Sequence, residues 1–98
     1  MRFRFKARKL EMLYTHGEGA SKYSNAVIEA FFEVMNIIDA AEDEQDLYTY
    51  KSLRYKKIKG KRKDQHSLRL NDQFRLVVQS QRDEAGKLIL VIELIDYH

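Results

Sequence analysis

The chain has 98 residues, of which 44% are hydrophobic and 34% charged, with a formal net charge of +3, four glycines and neither proline nor cysteine. That length leaves room for one hydrophobic core, so we expect a single domain over residues 1–98, and the composition excludes a disordered chain. The lack of cysteine excludes disulfides, thiolate metal sites and cysteine nucleophiles. Because no apolar stretch is long enough for a signal sequence or a membrane span, we expect a cytoplasmic protein that does not contact a membrane.

The first half of the chain predicts one strand followed by two helices. Residues 2–6 alternate between basic and apolar side chains, which indicates a short strand. Residues 7–16 carry apolar side chains at helical spacing and are followed by a glycine, a typical helix stop. Either Ser21 or Ser24 is then expected to cap a longer helix that runs to about Ala41 and has a wide apolar face.

The second half of the chain predicts a sheet. After an acidic turn, strands are expected at residues 53–58, 66–70, 74–79 and 88–95. The last of these is apolar at both odd and even positions, which is typical of a central strand covered on both faces. The predicted fold class is therefore α+β, with an N-terminal strand and two helices packed on a mainly antiparallel, twisted sheet of four to five strands.

The register of one hairpin can be predicted from its side chains. A three-residue loop at residues 71–73 pairs apolar residues with apolar residues across the two strands, whereas a two-residue loop would mix apolar with polar residues. The same register places Arg69 beside Arg75, an unfavourable pair unless an anion lies between them. A bound phosphate and the carboxylate of Asp96 are both candidates for that anion.

Charge is distributed unevenly along the chain. Residues 51–69 contain nine Lys or Arg and one acid, a formal charge of +8, whereas residues 38–50 contain five acids and no Lys or Arg. A concentrated positive charge attracts phosphate whatever the net charge of the protein, so this polarity favours a polyanionic partner. Two solvated charged loops are the alternative interpretation.

Three sequence blocks stand in a specific order in the second half of the chain. They are SLRYKKIKG at residues 52–60, SLRLNDQFRL at residues 67–76, and DYH at residues 96–98. In this order and spacing they resemble the HigB-type toxins of the RelE/ParE superfamily. The strand and two helices predicted before them are similar to the start of that family's fold.

The resemblance implies both an activity and a set of partners. The fold would be a small RelE-like domain, and the activity that of a ribosome-dependent mRNA endonuclease, the toxin of a type II toxin–antitoxin system. Its partners would be a HigA-like helix-turn-helix antitoxin, the small ribosomal subunit and mRNA. The family's activity implies no cofactor and no metal.

Two positions depart from the family's pattern. Members often carry a histidine where this chain has Lys56, and a tryptophan where it has Phe74. The exchange of one aromatic residue for another preserves packing. A lysine at position 56 leaves open which of Lys56, Asp96 and His98 accepts a proton and which donates one, because an ordinary lysine stays protonated at neutral pH.

Metal-independent RNA cleavage needs a base for the 2′-hydroxyl, a cation for the phosphate and an acid for the 5′-oxygen. Arg75, supported by Lys59, is the candidate phosphate ligand, and a salt bridge to Asp96 is its structural alternative. His98 is the candidate acid because histidine titrates near neutral pH, although a terminal histidine is also typical of a loose chain end. Tyr97 is a candidate for stacking on a base or is a strand-end aromatic. The candidate catalytic residues are Lys56, Lys59, Arg75, Asp96, Tyr97 and His98.

Other basic residues are candidates for binding RNA without taking part in the chemistry. They are Arg54, Lys57, Lys61, Arg62, Lys63 and Arg69, whose contacts with phosphate position RNA but do not read its sequence. The remaining histidines, His16 and His66, have no second ligand at metal-binding spacing, so we expect no metal site.

Three other functions remain open at this stage. A ParE-like toxin would share the fold but inhibit DNA gyrase without cutting RNA. A non-catalytic member would bind RNA or an antitoxin only. A nuclease acting on free RNA is less favoured because the chain offers few groups that titrate near neutral pH, so the ribosome is expected to supply part of the substrate alignment.

Overall fold

A computed structural model describes residues 1–60 and 64–96 of the chain and shows an α+β fold. In chain order its elements are β1 (Phe3–Phe5), α1 (Arg8–His16), α2 (Asn25–Ala40), α3 (Glu44–Thr49), β2 (Lys56–Lys57), β3 (Gln65–Arg69), β4 (Phe74–Asp83) and β5 (Gly86–Asp96), with short 3₁₀ turns at Ala20–Lys22 and Lys51–Leu53. The strands form one sheet in the order β1-β5-β4-β3-β2, in which only the β1–β5 pair is parallel. The predicted fold class is confirmed.

The first two helices begin and end where local signals predict. Gly17 follows α1 in the left-handed conformation (φ 69°), and its N–H donates to the carbonyl of Leu13 at 3.0 Å. A glycine accepts this conformation without the steric penalty of a side chain. Of the two candidate caps for α2, Ser24 is the correct one, because its hydroxyl accepts a hydrogen bond from the Val27 N–H at 3.3 Å.

The hydrophobic core lies between the helices and one face of the sheet. From α2, the side chains of Phe31, Met35 and Ile38 are completely buried. They belong to one cluster with strand residues that include Leu68 and Leu76. Each fully buried side chain of this size contributes about 1.5–3 kcal/mol, so the packing of α2 on the sheet stabilises the fold.

The segment between α2 and β3 differs from its prediction. The acidic turn contains α3, capped by Asp43, whose carboxylate accepts from the Gln45 N–H at 3.0 Å, while Leu47 is fully buried. The predicted strand at residues 53–58 is shortened to β2, because Leu53 ends a 3₁₀ turn and Arg54 is left-handed (φ 46°). A left-handed residue redirects the chain, so pairing begins only after it.

The hairpin between β3 and β4 has the predicted register. Leu68 lies opposite Leu76 and Arg69 opposite Arg75, while the Leu70 N–H donates to the Phe74 carbonyl at 3.0 Å. The other prediction for the sheet also holds, because β5 lies between β1 and β4 and is buried on both faces. Among the described residues, no helix has the length and apolarity to cross a bilayer.

Candidate functional site

A basic cavity opens on the face of the sheet that is turned away from the core. Successive strand residues point to opposite faces, so Ser67 and Arg75 face away from the side on which their neighbours Leu68 and Leu76 join the core. The cavity measures about 430 Å³. Its lining residues are Lys56, Lys57, Ile58, Lys59, Ser67, Arg75 and Ile95, and this described lining includes four basic residues and no acid. The cavity therefore favours an anionic ligand.

Arg75 forms part of the cavity wall and is held in a defined orientation. The residue is only 6% exposed. Its Nε donates to the Ser67 hydroxyl at 2.8 Å, and its Nη2 donates to the backbone carbonyls of Arg54 at 2.8 Å and of Ser67 at 3.4 Å. These bonds fix the plane of the guanidinium group before any ligand arrives, which reduces the cost of reorganisation on binding.

The lysines of the cavity come from the short edge strand and the residues after it. Lys56 lies opposite Ser67 in the ladder between β2 and β3, which places it on the same face of the sheet as Arg75. Lys56, Lys57 and Lys59 are exposed, whereas Arg75 is buried. The cavity thus combines one fixed cation at its wall with lysines on flexible stems at its rim.

The end of β5 brings the chain to the same cavity. Ile95 lies opposite Arg75 and lines the cavity, and Asp96 lies opposite Phe74 at the adjacent position. The Asp96 carboxylate accepts a hydrogen bond from the Gln73 side-chain amide at 3.0 Å. Register therefore places Asp96 near the site but on the other face of the sheet. The two remaining candidates, Tyr97 and His98, lie outside the described residues.

The predicted RNA-binding residues are only partly brought together. Lys57 lines the cavity, and Arg54 contributes its carbonyl to the orientation of Arg75. Arg69 lies apart, because its guanidinium pairs with Asp72 and lines a separate groove of about 290 Å³ beside α2. Lys61, Arg62 and Lys63 lie outside the described part of the chain.

The adjacent arginines do not need the shared anion that the sequence suggested. Arg69 has its own carboxylate partner, Asp72, and Arg75 is held by Ser67 and by the Arg54 carbonyl. Of the two candidate anions, the Asp96 carboxylate does not lie between the arginines, because register places Asp96 opposite Phe74. The two side chains separate because Arg75 turns towards β2, whereas Arg69 turns towards the hairpin loop.

Two features of this region were not predicted. The first is Ser67, a buried serine that orients Arg75, although a polar residue within a half-buried strand was a visible signal. The second is a cluster in which the Tyr55 hydroxyl donates to Glu44 Oε2 at 2.7 Å and the His66 Nε2 lies 3.9 Å from the same oxygen. Burial, followed by the hydrogen bond to Glu44, raises the pKa of Tyr55. Within residues 1–60 and 64–96, no group of three or more potential ligands is placed to hold a metal ion.

This chain is similar in sequence and fold to known toxins. A model of the family described as the RelE-like toxin of the type II toxin–antitoxin system HigB matches residues 3–98. Toxin HigB-1 of Vibrio cholerae serotype O1 is 32% identical over 79 residues, which cover 81% of this chain and 83% of that protein.

Solved structures add support for the fold alone. A YoeB/ParE toxin from Agrobacterium tumefaciens superimposes with a TM-score of 0.60 at 10% identity over the whole of both chains. A chain of the YoeB–YefM complex from Staphylococcus aureus gives a TM-score of 0.56 at 19% identity, covering 100% of this chain and 97% of its own length. With the family match and the HigB-1 similarity, these findings establish that the chain belongs to the HigB-like family of RelE-like toxins of type II toxin–antitoxin systems.

Proposed function

We propose that this toxin is a ribosome-dependent endoribonuclease that cuts translated mRNA and thereby inhibits translation. The observation that carries the proposal is the fixed, buried guanidinium of Arg75 in a cavity rimmed by Lys56 and Lys59. A cation oriented in advance stabilises the charge that develops on a phosphate during cleavage. A surface that only binds RNA needs exposed cations but no such buried and oriented group.

The proposed reaction is an attack within one nucleotide of the mRNA. A base removes the proton of the 2′-hydroxyl, the 2′-oxygen bonds to the adjacent phosphorus, and the bond from phosphorus to the 5′-oxygen breaks. An acid protonates that departing oxygen, so the products are a 2′,3′-cyclic phosphate and a 5′-hydroxyl. Arg75 and Lys59 are proposed to hold the phosphate oxygens, because guanidinium and ammonium groups form strong charge-assisted hydrogen bonds with them.

The proton transfers are assigned to the residues around the cavity and at the chain end. We propose His98 as the acid and Lys56 as the base, with Tyr97 orienting the phosphate or stacking on a base. Asp96 would orient a neighbouring group that takes the proton, because register places it on the other face of the sheet. Asp96 is one residue from Ile95, which lines the cavity. No cofactor has a role in this reaction as proposed.

The ribosome and an antitoxin are the proposed partners. Arg54, Lys57, Arg69 and the segment 61–63 would contact RNA backbone on mRNA or on the small ribosomal subunit. A HigA-like helix-turn-helix antitoxin is proposed to neutralise the toxin, as expected for a member of this family. Both partners place the protein in the cytoplasm.

Primer extension on a defined mRNA in a reconstituted translation system tests the function. Wild-type toxin should produce cuts at codons in the ribosomal A site, and these cuts should disappear when ribosomes are omitted. Equal cleavage of free mRNA would contradict ribosome dependence. Intact mRNA together with inhibited gyrase supercoiling would instead support the ParE-like function, and ribosome binding without cleavage would support a non-catalytic one.

The chemistry of the new ends tests the mechanism separately from the function. The upstream fragment should carry a 2′,3′-cyclic phosphate, which can be identified by mass spectrometry. An mRNA in which the 2′-hydroxyl at the cut position is methylated should remain intact. Cleavage of the methylated mRNA would exclude attack by the 2′-oxygen.

A further inference from the structure

An aromatic cluster lies beside the edge of the sheet that carries the basic cavity. It consists of Tyr48 of α3, Tyr55, which precedes β2, and His66 of β3. The rings of Tyr55 and His66 are nearly parallel, with centroids 4.8 Å apart and an interplanar angle of 15°. The ring of Tyr48 stands edge-on to both, at 4.8 Å from Tyr55 and 6.5 Å from His66. Two packed rings therefore support a third.

Tyr48 is exposed even though its supporting rings are not. It is 47% exposed, whereas Tyr55 is 6% exposed. Glu44, one turn before Tyr48 in α3, fixes the supporting rings by accepting from the Tyr55 hydroxyl at 2.7 Å and lying 3.9 Å from His66. A rigid aromatic ring at the surface binds a flat ligand with little loss of side-chain entropy.

Strand β2 connects this cluster to the cavity. Lys56 lies opposite Ser67, which contacts Arg75, and Lys57 lies opposite His66. Lys56 and Lys57 are adjacent in β2, and both line the cavity. Lys57 therefore links the two regions along the edge strand of the sheet, since it lines the cavity and lies opposite His66 of the aromatic cluster.

We propose that Tyr48 is a stacking platform for one base of single-stranded RNA, adjacent to the phosphate held in the basic cavity. This inference rests on the proposed cleavage of mRNA and adds a residue that positions the strand. Stacking requires only the flat face of a base, so Tyr48 orients RNA without selecting among the four bases.

Binding of a short RNA tests the platform without relying on catalysis. The probe is a fluorescein-labelled, fully 2′-O-methylated octanucleotide, which cannot undergo attack by a 2′-hydroxyl, and the readout is fluorescence anisotropy. Tyr48→Leu, which keeps apolar bulk but removes the ring, should weaken binding roughly fivefold or more, the loss expected for one base stack. Tyr48→Phe should bind like wild type. Tyr50→Leu is the matched control, because Tyr50 is also exposed (46%) and lies two residues away.

A second probe with one abasic position links the loss to a base. The abasic position is moved along the octanucleotide one nucleotide at a time. At one position the missing base should weaken binding by wild type, but it should not weaken binding by Tyr48→Leu any further. Equal binding by wild type and Tyr48→Leu would overturn the platform while leaving mRNA cleavage intact. Equal weakening by Tyr50→Leu would also overturn it. If wild type neither binds the octanucleotide nor cuts mRNA on ribosomes, the platform fails together with the proposed function.

Discussion

At β3 and the start of β4, the two faces of the sheet bury different chemistry. On β3 and β4, Leu68 and Leu76 join the core beneath the helices, while their neighbours Ser67 and Arg75 point into a basic cavity. Neighbouring residues of a strand point to opposite faces, so a side chain that stabilises the fold lies next to one that lines the cavity. We therefore expect substitutions on the helix side to lower stability and substitutions on the cavity side to lower activity.

The largest expected effect is a loss of stability caused by a substitution on the helix side of the sheet. Phe31→Ala removes a completely buried ring and should lower the free energy of unfolding by about 3–5 kcal/mol, measured by urea denaturation. Phe32→Ala, at the adjacent and only partly buried position in α2, is the matched control and should cost less. Equal losses for the two variants would contradict the described core.

Substitutions on the cavity side should lower mRNA cleavage and leave stability almost unchanged. Lys59→Ala should reduce mRNA cleavage about tenfold, equivalent to one contact of about 1.4 kcal/mol, and Lys56→Ala should reduce it by more, about a hundredfold, because Lys56 is also the proposed base. In both variants the free energy of unfolding should change by less than about 0.5 kcal/mol. Lys87→Ala, an exposed lysine in β5 that does not line the cavity, is the control and should cleave at the wild-type rate. A similar loss for Lys87→Ala would mean that overall charge, and not the cavity, determines activity.

The smallest expected effect is on stability, and it comes from an ion pair at the far end of the sheet, away from both regions. The hydrogen bond from Arg2 is the main cause that lowers the pKa of Asp83 from 3.8 to about 2, and the carboxylate lies 2.6 Å from Arg2 Nη2. Because the charged form is favoured in the folded state, its contribution is fully present above pH 4 and is lost as the pH falls through 2. Asp83→Asn should therefore be slightly less stable than wild type at pH 7 in urea unfolding, and the difference should shrink towards pH 2 and vanish below it.

That difference should also shrink in high salt, because the pair is exposed. A stability difference that stays the same between pH 7 and pH 2 would contradict an ionic role for Asp83.

The parts of the fold that were predictable depend on local signals. The ends of α1 and α2 follow from Gly17 and Ser24, and the register between β3 and β4 follows from the alternation of apolar and polar residues around a short loop. The extent of β2 did not follow, because it depends on the left-handed conformation of Arg54. Helix α3 was missed because its six residues are stabilised by the burial of Leu47 more than by their own periodicity.

The site was predictable in its residue types but not in its arrangement. The family resemblance and the need for cations at the phosphate pointed to Lys56, Lys59 and Arg75, which the fold brings to one cavity. The partners of Arg75 were not predictable, since one is a backbone carbonyl 21 residues away, at Arg54. The arrangement of Tyr48 against the rings of Tyr55 and His66 likewise depends on how α3 packs, which sequence spacing alone does not determine.

The most direct test of a cavity built for phosphate chemistry is the single-turnover rate of mRNA cleavage on programmed ribosomes by Arg75→Lys. Lysine keeps the charge but loses the planar group that Ser67 and the Arg54 carbonyl hold in place. Folding is checked by circular dichroism, and Arg82→Lys, at an exposed position farther along β4, is the control. Arg75→Lys alone should lose about a hundredfold in rate. Cleavage by Arg75→Lys at the wild-type rate would contradict the proposed role of Arg75.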